Sequence, residues 1–186
     1  MKSLSLLLAF AALAVPAAPA IAHSAGPVSC VYDETDPMLR QRYLAAYDED
    51  FASPESEAVA EEIGTRALRC ALRHGLRAPQ SGALADYFTG RVFLDRAVET
   101  LARVNFDPQI LDRVFASLSA SDKEAMLAGN GESSWEAIQR DILANGLGAD
   151  IGRRTPEERR LIGHRIGEGL SGMAKMEHAG AEFPTS

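Results

Sequence analysis

Residues 83–104 read ALADYFTGRVFLDRAVETLARV and carry the clearest helical pattern in the chain. Their apolar side chains cover more than half of a helical circumference, which is typical of a helix at the centre of a domain. These side chains are Leu84, Tyr87, Phe88, Val92, Leu94, Val98 and Leu101. Charged residues recur every four positions on the remaining face: Arg91, Asp95, Glu99 and Arg103. We expect them to form a solvated stripe of i,i+4 ion pairs.

Start and stop signals divide the rest of the chain into further helices. Thr155-Pro156-Glu157-Glu158 combines a capping box with proline at the first helical position, so a helix should begin at Pro156. Similar capping signals are Ser53-Pro54, Asp107-Pro108, Ser121 with Glu124, and Ser133 with Glu136. Glycine suits the left-handed backbone conformation that often follows the last residue of a helix, and the candidates are Gly75, Gly146 and Gly180. The predicted helices span residues 37–48, 54–74, 82–104, 108–118, 122–128, 134–145 and 156–178.

The fold predicted from these signals is all-α, an irregular multi-helix domain of about five to seven helices. No stretch shows the sustained two-residue alternation of a β-strand. We expect a single helical domain over residues 37–186, preceded by an irregular N-terminal arm over residues 23–36.

Residues 1–22 have the layout of a cleaved secretory signal peptide. Met1-Lys2 is a short positive start, an apolar run follows from Leu4 to Val15, and Ala20-Ile21-Ala22 is a small-residue cleavage site. We therefore expect an exported protein, periplasmic in a bacterium and secreted otherwise, with no transmembrane segment after processing.

The export prediction determines how we interpret the two cysteines, Cys30 and Cys70. In an oxidising compartment a lone pair is most simply a disulfide. The bond would tie the N-terminal arm to the helix that carries Cys70. Closing a loop of about 40 residues should stabilise the fold by roughly 4 kcal/mol. Two buried free thiols are the alternative.

The charge balance excludes two classes of partner. The chain has 19 Lys and Arg against 26 Asp and Glu, a formal net charge of −7 and an isoelectric point near 5.1. A nucleic-acid binder needs a basic face that releases counterions from phosphates. Adhesion to an anionic membrane surface needs the same sign of charge.

Two motifs in the last predicted helix resemble functional sites without meeting their requirements. Residues 167–172 match G-x-G-x-x-G, but a phosphate-binding loop needs a strand before it and a helix opening after it. We interpret its glycines as positions of close helix packing or of a bend. His164, Glu168 and His178 share one stripe opposite the apolar face, so we expect all three to face solvent. The two histidines are about 21 Å apart and cannot bind one ion.

A local basic cluster is the strongest candidate contact for an anion or a partner. It comprises Arg153, Arg154, Arg159, Arg160 and Arg165. Forked arginine side chains near a helix N-terminus are suited to phosphate or carboxylate groups.

The predicted new N-terminus offers a second, different candidate. Cleavage after Ala22 would make His23 the first residue, and its α-amine and imidazole could chelate Cu²⁺ together. A second histidine, His74, His164 or His178, would have to come near. His74 itself precedes Gly75 and is predicted to cap a helix C-terminus.

The function predicted from the sequence is a non-enzymatic one, since no catalytic constellation appears. We expect an exported binding or interaction protein of the cell envelope, without a cofactor, that takes an envelope protein or a small ligand. A copper-binding protein using His23 is the alternative. A hydrolase with dispersed acidic residues is the third possibility.

Overall fold

The computed structural model describes residues 26–128, 138–140, 142, 144 and 148–183. Every regular element in these ranges is a helix, which confirms the all-α prediction. After a 3₁₀ turn over Pro27–Ser29 come α1 (Cys30–Asp33), α2 (Pro37–Asp48), α3 (Pro54–Arg73), α4 (Ala78–Arg103), α5 (Ile110–Ser117), α6 (Ala120–Leu127), α7 (Gly148–Gly152) and α8 (Pro156–Ala181). Residues 138–140, 142 and 144 are also helical, within the helix predicted over 134–145. None of the described helices is long and apolar enough to cross a membrane.

Capping side chains fix the starts of α2, α3, α6 and α8. Thr155 accepts a hydrogen bond from the Glu158 N–H while Glu158 accepts one from the Thr155 N–H, so the predicted box is confirmed. Ser53 caps α3 as predicted, and Gly75 has the left-handed φ of +64° expected after that helix.

Several predicted helix ends are displaced, and α4 begins at Ala78 rather than at residue 82. The cap of α6 is Ser119, paired with Asp122, so the prediction of Ser121 was wrong by two residues. Asp107 accepts the Gln109 N–H at 3.0 Å and stabilises a turn before α5, which begins at Ile110. Gly180 lies inside α8, because that helix continues to Ala181. Gly146 and the Ser133–Glu136 box lie outside the described residues.

The segment before α2, expected to be irregular, contains the 3₁₀ turn and α1. Val31 is fully buried, and α1 packs against α3 and α4. Cys30 and Cys70 form a disulfide with Cα atoms 6.3 Å apart, as predicted. Burial of Val31 and the disulfide together hold α1 against the rest of the domain.

Two hydrophobic clusters share α4. One contains residues of α1, α2 and α3 and includes Leu84, Phe88 and Val92 of α4. The other contains residues of α5, α6 and α8 and includes Leu94, Ala97 and Leu101. Residues 83–104 are thus central to the packing, as their pattern predicts.

The most extensive contact between helices joins α4 to α8. It depends on glycines, because a Cβ on Gly172 would collide with the Gly90 carbonyl oxygen and a Cβ on Gly90 with that of Gly172. A Cβ on Gly169 would come within 3.0 Å of Ala97 and of Leu111. The glycine-rich motif of α8 is therefore a site of close helix packing, which is one of its two predicted roles.

Candidate functional site in a charged groove

A groove of about 460 Å³ runs between α2 and α4 and reaches Arg165 of α8. We call it the α2–α4 groove. Its charged lining residues are Arg40 and Asp48 of α2, Asp95, Arg96, Glu99 and Arg103 of α4, and Arg165. Four arginines thus line a single concave surface of a protein whose net charge is −7.

Arg96 connects the rim of the groove to its floor. Its Nη1 donates to Asp48 Oδ2 at 2.7 Å, and its Nε donates to Glu168 Oε1 at 2.6 Å. The Asp48 side chain is exposed, whereas only 6% of the Glu168 side chain is. Burial alone lowers the pKa of Arg96, but hydrogen bonds to Asp48 and Glu168 raise it overall, so this guanidinium is a fixed cation.

Glu168 does not face solvent, and that prediction was wrong. Its carboxylate is ion-paired with both Arg96 and Arg165. The glycine contacts bring α8 so close to α4 that Arg96 reaches Glu168 across the interface. His164 and His178, the other members of the stripe, are exposed as predicted.

Arg165 has one polar atom without a partner. Its Nη1 donates to Glu168, but its Nε is buried and has no hydrogen-bond partner among the described residues. The side chain is 18% exposed and lines the groove. An unsatisfied buried N–H costs about 1–3 kcal/mol, so an acceptor placed beside it is favoured.

A second network flanks the groove beside Asp95. The Tyr32 hydroxyl donates to Asp95, and Arg40 donates to the same hydroxyl at 2.7 Å while its guanidinium lies 3.8 Å from the ring centroid. Arg91 pairs with Asp95 at 3.0 Å. Burial and the hydrogen bond to Asp95 raise the pKa of Tyr32, which keeps the phenol protonated. Tyr32 therefore holds α1 to the groove.

The predicted basic cluster is divided by the fold. Arg153 and Arg160 are 77% and 78% exposed, and Arg159 is also exposed. Arg154 donates to the carbonyl oxygens of Val104 and Asn105 at the C-terminal end of α4. Of the five predicted contact residues, Arg165 lies in the α2–α4 groove, while Arg159 and Arg160 line a separate, open depression of about 680 Å³ beside His164.

The predicted copper ligand His23 lies outside the described residues. His74 follows α3 as its capping residue, as predicted, and its side chain is exposed like those of His164 and His178. Within the described ranges, no histidine belongs to a cluster of three side chains able to bind one metal ion. The one such cluster there contains Cys30, Glu34 and Cys70.

Reasoning from the sequence missed Arg40, Asp48 and Arg96 as members of one site. One usable signal is present in α4, where Arg96 follows the buried residues Val92 and Phe93 by four and three positions. A charge on an apolar helical face needs a buried partner. The identity of that partner depends on the α4–α8 crossing, which no local pattern encodes.

Comparison of the chain with protein-family models, with curated proteins and with solved structures found no match.

Proposed function

We propose that this protein is an exported binding protein that takes a small anionic ligand, bearing a carboxylate or phosphate group, in the α2–α4 groove. The observation that carries the proposal is the pair Arg96 and Arg165, which line the groove and share the Glu168 carboxylate, so both guanidinium groups are held in fixed orientations. The buried Nε–H of Arg165, like that of Arg66, has no acceptor in the described part of the chain. A preorganised cation loses little entropy when it binds an anion.

Charge supports an anionic ligand of limited size. The carboxylates are unevenly placed. Glu168 is shared by Arg96 and Arg165, so the floor has two guanidinium groups against one carboxylate. Asp48 and Glu99 are exposed and lie at the rim. A ligand with one anionic group and polar or cationic groups elsewhere suits this distribution. A polyanion would be repelled by the carboxylates at the rim.

The same arrangement favours binding over hydrolysis. Each groove carboxylate, Asp48, Asp95, Glu99 or Glu168, forms an ion pair with an arginine. A general base needs a carboxylate free to take a proton from water or substrate. Here the carboxylates orient the guanidinium groups that would contact the ligand.

Isothermal titration calorimetry at low ionic strength tests the proposal with a panel of amino acids, dicarboxylates and phosphate monoesters. We expect saturable binding that weakens as salt is added. Arg165→Gln should reduce the affinity about tenfold or more, equivalent to the loss of one charge-assisted hydrogen bond. The matched control is Arg159→Gln, which removes an exposed arginine of the same helix.

The control also distinguishes the groove from the exposed arginine surface. Equal affinity in wild type and Arg165→Gln, or no saturable binding of any anion in the panel, contradicts the groove assignment. A loss confined to Arg159→Gln would transfer the anion contact to the surface formed by Arg153, Arg159 and Arg160.

A further inference from the structure

We propose that Cys30, Glu34 and Cys70 form a site for a divalent cation of the zinc class when the two cysteines are reduced, and that disulfide formation closes this site. In the disulfide form, a carboxylate oxygen of Glu34 lies within 4.8 Å of both sulfur atoms. Cys30 begins α1, Glu34 follows that helix by one residue, and Cys70 lies on α3. The three donors thus come from both sides of the α1–α3 contact.

The spacing fits tetrahedral zinc coordination. Zn–S bonds of about 2.3 Å place two thiolate sulfurs about 3.8 Å apart. Side chains whose Cα atoms lie 6.3 Å apart span that distance without movement of either helix. A carboxylate oxygen of Glu34 would supply the third ligand, and water the fourth.

The surroundings give the ion an entrance and keep its ligands shielded. Cys70 is fully buried and Cys30 is 8% exposed, whereas Glu34 is exposed. A cation therefore reaches the thiolates from the Glu34 side. Glu34 is ion-paired with Arg73. Arg73 competes with the metal for the same carboxylate.

The two states interconvert by balanced chemistry. A dithiol or phosphine reductant supplies two electrons, the S–S bond breaks, and each sulfur takes a proton. The cation then displaces those two protons and binds both thiolates, because the thiolate is the ligand form of cysteine. A disulfide oxidant accepts two electrons and two protons and leaves as two thiols, while the S–S bond of Cys30 and Cys70 re-forms and the cation is released.

Cobalt(II) added to the protein reduced with a phosphine provides the test. We expect sulfur-to-cobalt charge-transfer absorption and tetrahedral visible bands, both abolished by zinc. Glu34→Gln should weaken cobalt binding about tenfold or more. Arg73→Gln, which frees Glu34, should strengthen binding. The matched control is Glu62→Gln, which removes an exposed carboxylate of α3 paired with Arg66.

Circular dichroism recorded in parallel makes each outcome decisive. If the reduced protein unfolds and zinc restores its helicity, the proposal is supported, because metal binding is then coupled to folding. Reduced protein that stays helical without cobalt–thiolate bands contradicts it. So does reduced protein that unfolds and is not restored by metal. Bands unchanged by both Glu34→Gln and Arg73→Gln exclude Glu34 as a ligand and overturn the three-residue site.

Discussion

The position that a side chain of residue 172 would occupy is taken by the backbone carbonyl oxygen of Gly90, so α4 and α8 touch through their main chains. This contact brings Arg96 and Glu168 together across the interface. The groove floor therefore depends on two residues that have no side chain.

Replacing Gly172 with alanine should destabilise the protein by about 1–3 kcal/mol, because neither backbone can yield without moving a whole helix. Gly167→Ala is the matched control in the same helix, since nothing lies within 4 Å of a Cβ at that position. It should be neutral or stabilising by up to about 1 kcal/mol. Urea denaturation followed by circular dichroism measures both. Equal effects of the two substitutions would refute the role of the close contact.

Glu168→Gln should lower the free energy of unfolding by about 3 kcal/mol, because it leaves Arg96 and Arg165 buried beside a neutral group. The comparison is Glu99→Gln, which breaks the exposed pair with Arg103 and should cost less than about 0.5 kcal/mol. Chemical denaturation at equal ionic strength gives both values. A similar small loss for the two variants would show that the Glu168 pairs contribute no more than a surface pair.

Removing the disulfide by Cys30→Ser together with Cys70→Ser should destabilise the metal-free protein by about 4 kcal/mol, because the unfolded chain regains the freedom of a 40-residue loop. Wild type treated with a phosphine in the presence of a chelator should lose a similar amount. The double variant should not respond to the phosphine. If the phosphine also destabilised the double variant, its effect on the wild type would not come from the disulfide.

Stability should fall as the pH rises above about 10. Burial raises the pKa of Tyr32, Tyr43 and Tyr87 above the ordinary value of 10.0. The unfolded chain then releases its phenolic protons at lower pH than the folded one, so the folded state is favoured less with each further rise in pH. Urea midpoints measured between about pH 8 and pH 11 should show this decline.

Tyr43→Phe tests the source of the alkaline effect. It removes a buried phenol hydroxyl together with its hydrogen bond of 2.7 Å to Thr89. The variant should be less stable at neutral pH yet decline less steeply above pH 10. An unchanged slope would assign the effect to other groups.

Local signals predicted the elements well where a side chain acts on its own backbone. Thr155, Ser53 and Gly75 fix helix ends through contacts within a few residues, and all three were assigned correctly. The prediction of Ser121 for α6 was wrong, because Ser119 also precedes an acidic residue, Asp122, by three positions and is the residue that caps the helix. Apolar side chains that recur with the helical period were likewise predicted correctly to be buried.

The site was far less predictable because it is made by residues distant in the chain. The helical pattern of the sequence puts Glu168 on a polar stripe of α8. Only the packing of α4 against α8 brings it to Arg96, which lies 72 residues away in the chain. Arg165 was singled out with its neighbours for its charge. The other four arginines of that cluster do not line the groove: Arg159 and Arg160 lie on another face of α8, and Arg153 and Arg154 precede that helix.

Residues of α4 belong to both hydrophobic clusters, Leu84 and Phe88 to one and Leu94 and Leu101 to the other. Because both clusters pack on α4, loss of packing in one cluster displaces the helix on which the other depends. Denaturation should therefore occur in one cooperative transition rather than two. A ligand held by Arg165 or a change at Cys30 and Cys70 then shifts the stability of the whole domain.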